Sequence, residues 1–75
     1  MEHLELLTLQ QAYKTAVDEW VAAIRAEEDL ASVHPTLAQV DEWEHAHFSE
    51  EEARSKAKKA KKDYEDAIRR GLFNF

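Results

Sequence analysis

Cysteine is absent from this chain, and glycine and proline occur once each in 75 residues. Without cysteine there is no disulfide framework and no thiolate metal site. With so few turn-forming residues a multi-stranded sheet is excluded, because each strand reversal asks for turn chemistry of its own. No apolar run approaches the roughly 20 residues that a membrane-spanning helix needs. The opening Met1-Glu2-His3-Leu4-Glu5 carries acids where a secretory leader carries bases, so the expected location is cytoplasmic. Glycine-rich phosphate cradles are missing. The hydroxyls of Thr8, Thr15, Ser32, Thr36, Ser49 and Ser55 are scattered along the chain. Neither phosphoryl transfer nor nucleophilic catalysis has a visible basis, and the expectation is a protein that is not an enzyme and carries no cofactor.

What is present is alanine and charge. Apolar residues make up 44% of the chain, but 12 of them are alanine, so few large side chains are left to build a core. Charged residues make up 35%, with a net charge of −6, which suits a solvated surface and opposes generic binding to polyanions. Residues 1–75 form one small domain. Pro35 is the only clear break. It cannot continue a helix from the preceding turn, and it pushes His34 toward an extended conformation. Thr36 followed by Gln39 fits a capping box. The reading is all-α, with two antiparallel helices at about 3–31 and 36–71, a turn at about 32–35, and a short apolar tail at 72–75. Gly71 fits a helix stop, with Arg69 and Arg70 before it at the negative end of the dipole. The alternative is a three-helix arrangement with a break near Ser49, where a serine is followed by Glu50, Glu51 and Glu52.

Periodicity supports the helical hairpin. Leu6, Leu9, Tyr13, Val17, Trp20, Ile24 and Ala31 recur at helical spacing on one stripe. In the second segment Trp43, Ala46, Glu50, Ala53, Ala57, Ala60, Tyr64, Ala67 and Gly71 alternate spacings of three and four, the pattern of a coiled coil. Bulky positions in one helix would meet small ones in the other. A short turn near position 34 sets Leu9 near Ala60, Tyr13 near Ser55, Trp20 near Phe48 and Ile24 near Trp43 or Glu44. Acid-first pairs at i,i+4, such as Glu50–Arg54 and Asp66–Arg70, would support the exposed surface of the second helix.

A thin, alanine-rich contact leaves apolar residues over. Leu4, Leu7, Val21, Leu30, Leu37, Val40, Ile68, Leu72, Phe73 and Phe75 call for a second apolar surface. A second copy supplies it most simply, giving a homodimeric four-helix bundle. The expected interface comprises Leu6, Leu9, Tyr13, Val17, Trp20, Ile24, Trp43, Ala53, Ala57, Ala60, Tyr64, Ile68, Leu72 and Phe73. The function that follows is a non-catalytic, self-associating protein–protein interaction module whose further partner is a protein not identifiable from the residues.

Two other constellations have chemical meaning. Glu44 and His47 stand at i,i+3, the spacing with which bundle metal sites point a carboxylate and an imidazole the same way, and Asp41 with His45 forms an i,i+4 pair. Counting from the turn places Glu27 or Glu28 opposite positions 40–41, and sets Glu27 and Glu50 at different levels. Glu44, His47, Asp41 and Glu27 are therefore the candidate ligands of an alternative metal-binding reading. Residues 54–62 pack six bases into nine residues, which opens a second alternative, weak nucleic-acid binding. These bases spread around the helix as a sleeve and have no interleaved aromatic for stacking on bases, so they read as solvated surface.

In length and two-helix build the chain is similar to the small secreted helical hairpins that serve as type-VII secretion substrates. Those carry a Trp-x-Gly turn. Here Val33-His34-Pro35-Thr36 stands in its place, so the similarity is one of architecture and implies no function.

Overall fold

The computed structural model describes residues 3–31 and 36–73. It contains two helices, α1 (His3–Asp29) and α2 (Leu37–Phe73), packed against each other as an antiparallel hairpin. The expected turn at 32–35 and the end of the tail lie outside the described residues, as do the side chains of Leu72 and Phe73. No helix among the described residues is long and apolar enough to cross a membrane.

The helix ends follow local chemistry. At the start of α2 the Thr36 backbone N–H donates to Gln39 Oε1 at 2.9 Å, while the Gln39 N–H donates to Thr36 Oγ1 at 3.2 Å. This reciprocal box satisfies two donors that the first turn would otherwise leave unpaired. Helix α1 ends two residues before the expected boundary. Its last turn tightens, with Leu30 and Ala31 donating to the carbonyls of Glu27 and Glu28, three residues back. Helix α2 passes through Ser49 without a break, so the three-helix alternative does not form. It also passes through Gly71 to Phe73, where a stop was expected. A single glycine so near a helix end lowers helix propensity without reversing the chain.

The ion pairs on α2 run base-first rather than acid-first. Lys59–Asp63 (3.1 Å), Lys61–Glu65 (3.8 Å) and Lys62–Asp66 (2.8 Å) are the lysine–acid i,i+4 pairs seen among the described residues. The hydrogen bond to Lys62 holds the Asp66 carboxyl below its ordinary range, and the same bond holds the Lys62 ammonium above its own. Asp66 therefore favours the fold above the usual carboxylate pKa, and this is lost as pH falls through its lowered value. The Lys62 contribution is present at neutral pH and is lost as pH rises through its raised value. Both groups are exposed, so salt screens the effect.

The contact between the helices is narrow. On α1 the inward positions are Leu6, Leu9, Tyr13, Ala16, Trp20, Ala23, Glu27 and Leu30, a strict heptad. The expected stripe departed from it at Val17, Ile24 and Ala31, each one residue past the inward position. Val17 is half-buried, whereas Ile24 and Ala31 are exposed. On α2 the inward positions from Ala46 to Ala67 match the expected heptad, while Trp43 is 48% exposed. Among the described residues only alanines are buried: Ala67 (0%), Ala57 (3%) and Ala16 (8%). The interhelical aromatic contact among the described residues is Tyr13 on Tyr64, with ring centroids 6.3 Å apart.

Register is where the chain departs furthest from expectation. Tyr13 meets Tyr64 rather than Ser55, Trp20 bonds Glu50 rather than lying at Phe48, and Glu27 meets His47 rather than position 40 or 41. These contacts shift α2 along α1 by between two and nine residues, about half a turn to two and a half turns. Its 37 residues make it about 55 Å long, against about 40 Å for the 27 of α1. The molecule is 56 Å along its principal axis, so α2 spans its whole length. The first turns of α2 project past the end of α1, and Leu37 there is 81% exposed.

Two stability measurements check this packing. A Cβ at Gly71 meets nothing within 4 Å, and the residue is helical, so Gly71→Ala is expected to stabilise by about 0.5 kcal/mol and raise the melting temperature. A lower melting temperature would place the helix end at Gly71. Ala57→Leu should cost about 1–3 kcal/mol by overpacking, and an unchanged melting temperature would show that the helices are not in close contact there.

Candidate functional site

The register brings three ligand-type side chains together. Glu27 from α1 and His47 and Glu50 from α2 offer ligand atoms that all lie within 4.8 Å of one another. His47 Nδ1 is 3.6 Å from Glu27 Oε1, and its Nε2 is 3.2 Å from Glu51 Oε1. Glu50 Oε1 accepts a 2.7 Å hydrogen bond from Trp20 Nε1, which reaches across from α1. His47 and Glu51 are more than half exposed, whereas Glu27 and Glu50 are partly shielded between the helices.

Local helix geometry accounts for the grouping. Glu27 and Glu50 both occupy inward heptad positions, so each points at the opposite helix. His47 stands three residues before Glu50 and four before Glu51, which places all three on one side of α2. The tryptophan bond orients one carboxylate and satisfies the indole N–H. Such a set could hold a divalent cation through one imidazole and two carboxylates.

Of the sequence-derived ligand candidates, the structure brings Glu27 and His47 together. Glu44 lines an adjacent groove, and Asp41 takes no part in the cluster. Glu50, which counting from the turn separated from Glu27, is the ligand-type residue that sequence reasoning missed. Its inward heptad position was legible, but its level was not, because the displacement of α2 moves it toward Glu27. The groove has a volume of about 620 Å³ and is lined by Glu27, Val40, Trp43, Glu44, His47 and Phe48. Phe48 is 65% exposed, so the groove is an open apolar surface beside a polar cluster.

The other interface candidates divide by position. Leu6, Leu9, Tyr13, Trp20, Ala53, Ala57, Ala60 and Tyr64 face the opposite helix within the hairpin. Val17 and Ile68 are half-buried at its edge, and Ile24 and Trp43 face water. No protein-family model, no curated protein and no solved structure matches this chain.

The Trp20–Glu50 bond can be measured. Trp20→Phe keeps most of the ring contact and removes the N–H, and is expected to cost about 1 kcal/mol, lowering the melting temperature by about 4–8 °C. Trp43→Phe serves as the reference, and equal melting temperatures for the two variants would show that the bond contributes nothing.

Proposed function

We propose that this protein is a non-catalytic, cytoplasmic interaction module that works as a self-associated pair of helical hairpins and presents its outer surface to another protein. The observation that carries this reading is surface area. The chain exposes 6091 Å², whereas a compact monomer of 8.7 kDa exposes about 4,700 Å². The excess, about 1,400 Å² per chain, is the amount that one partner of an obligate homodimer covers. The radius of gyration of 17.1 Å, against about 11 Å for a compact domain of this length, gives the same indication. A core whose buried members are three alanines offers little hydrophobic stabilisation against a conformational entropy cost of about 1–2 kcal/mol per residue. Association with a second apolar surface makes up that deficit.

The basic run supports an interaction role better than nucleic-acid binding. Lys59, Lys61 and Lys62 each face an acid one turn later, which lowers the field available to a phosphate backbone.

Sedimentation equilibrium with circular dichroism across a dilution series tests the reading. The expected result is twice the 8.7 kDa chain mass, with helicity falling as the dimer dissociates. A stable, fully helical monomer at micromolar concentration would refute it.

A second reading, metal binding, is favoured by one specific geometry. Tetrahedral Zn²⁺ with ligands at about 2.0–2.2 Å sets donor atoms about 3.4 Å apart, and His47 Nδ1 already stands 3.6 Å from Glu27 Oε1. Glu51 at the other imidazole nitrogen and Trp20 on Glu50 would then act as supporting hydrogen-bond partners. This reading predicts that Zn²⁺ at 100 times its Kd raises stability by about 2.7 kcal/mol, and that His47→Gln abolishes the gain. The same gain in His47→Gln would place the ion elsewhere.

A further inference from the structure

We infer that the flank of the hairpin carrying Leu7, Val21, Ile24 and Val40 is a two-fold interface that takes a second copy of the chain in antiparallel sense. The inference rests on the self-association proposed above and adds which surface pairs, and in which orientation. In a heptad, the residues just after the inward positions all turn to one flank, and in an antiparallel hairpin these flanks of both helices fall on the same side. That flank holds Leu7, Val17, Val21 and Ile24 on α1, with Val40 and Ile68 on α2. Leu7, Val21, Ile24 and Val40 are exposed to solvent. The residues just before the inward positions form the opposite flank. From Glu5 to Asp29 and from Glu42 to Arg70 they are Ala, Thr, Ser, His or charged, with no large aliphatic or aromatic side chain. The two sides of the hairpin are thus chemically unlike, and one of them is unfinished.

Charge on the apolar flank selects a second copy as the occupant. Toward the connection between the helices it carries Glu28, Glu44 and Glu51; Arg54 and Lys58 follow near the middle of α2, and Lys14, Lys61 and Glu65 lie beyond them. Acids gather toward the connection, and bases predominate from the middle of the hairpin outward, with Glu65 among them. A two-fold axis across the middle of the hairpin sets the acid-rich part of each copy against the base-rich part of the other, and the apolar residues from both parts meet between them. A parallel arrangement would oppose like charges along the whole length.

The experiment is sedimentation equilibrium on the full chain and its variants at low salt. Val21→Glu and Ile24→Glu are expected to weaken dimerisation by at least about 100-fold, whereas Ala22→Glu on the opposite flank leaves it within about threefold. Glu28→Lys with Glu44→Lys should weaken the dimer by about tenfold, and so should Lys14→Glu with Lys58→Glu. Combining all four substitutions reverses these charges on both sides together and should regain most of the lost affinity. These charge variants keep the inward residues intact, so they report on orientation even where Val21→Glu does not fold alone. A parental chain that is monomeric would refute self-association itself. A dimer broken by Ala22→Glu but not by Val21→Glu would keep self-association and overturn the choice of flank. Failure of the fourfold variant to regain affinity would overturn the antiparallel sense.

Discussion

The approach of two helices at alanine width governs the rest of this molecule. Ala16, Ala57 and Ala67 let the backbones come close, and the larger inward side chains, such as Leu6, Leu9, Tyr13 and Trp20, are then only partly covered. Close approach yields many small dispersion contacts but little apolar area, because alanine has almost no surface to remove from water. The hairpin is consequently long and thin, and its large apolar residues stand outside it. The interior is too small to take them in.

The same closeness makes the polar contacts between the helices possible. Trp20 reaches Glu50 and Glu27 reaches His47 because little lies between the two backbones at those levels. Both carboxylates stand at positions that a conventional bundle would fill with leucine. They interrupt the apolar contact toward the connected end and leave Trp43 and Phe48 uncovered beside them. The candidate metal ligands and the apolar groove are thus two results of one arrangement.

Much of this was legible in the residues. Pro35 and the Thr36–Gln39 pair marked the break and the start of α2, and the alternation of three and four marked its inward face through Ala67. Helix–helix register was not legible, and it decided which polar side chains meet. Counting from the turn assumes helices of matched reach, whereas α2 outruns α1 by about ten residues. That displacement carries Glu50 toward Glu27 and leaves Asp41 outside the cluster. The inward face of α1 drifted for a related reason. Val17 and Ile24 are more hydrophobic than Ala16 and Ala23, so periodicity weighted by hydrophobicity selects the flank, whereas packing at short distance selects the alanines.

The overhang of α2 has a consequence for how stability is distributed along the molecule. Its first turns have a capping box at their start and no helix opposite, so their backbone hydrogen bonds lean on propensity and the cap alone. Helix held by packing and helix held only by itself open at different free energies. Amide protons of Asp41 and Glu42 should therefore exchange with solvent long before those of Ala57 and Ala60 in the same unbroken helix. One continuous element of secondary structure then contains two cooperative units, and the boundary between them falls near the Glu27–His47 contact.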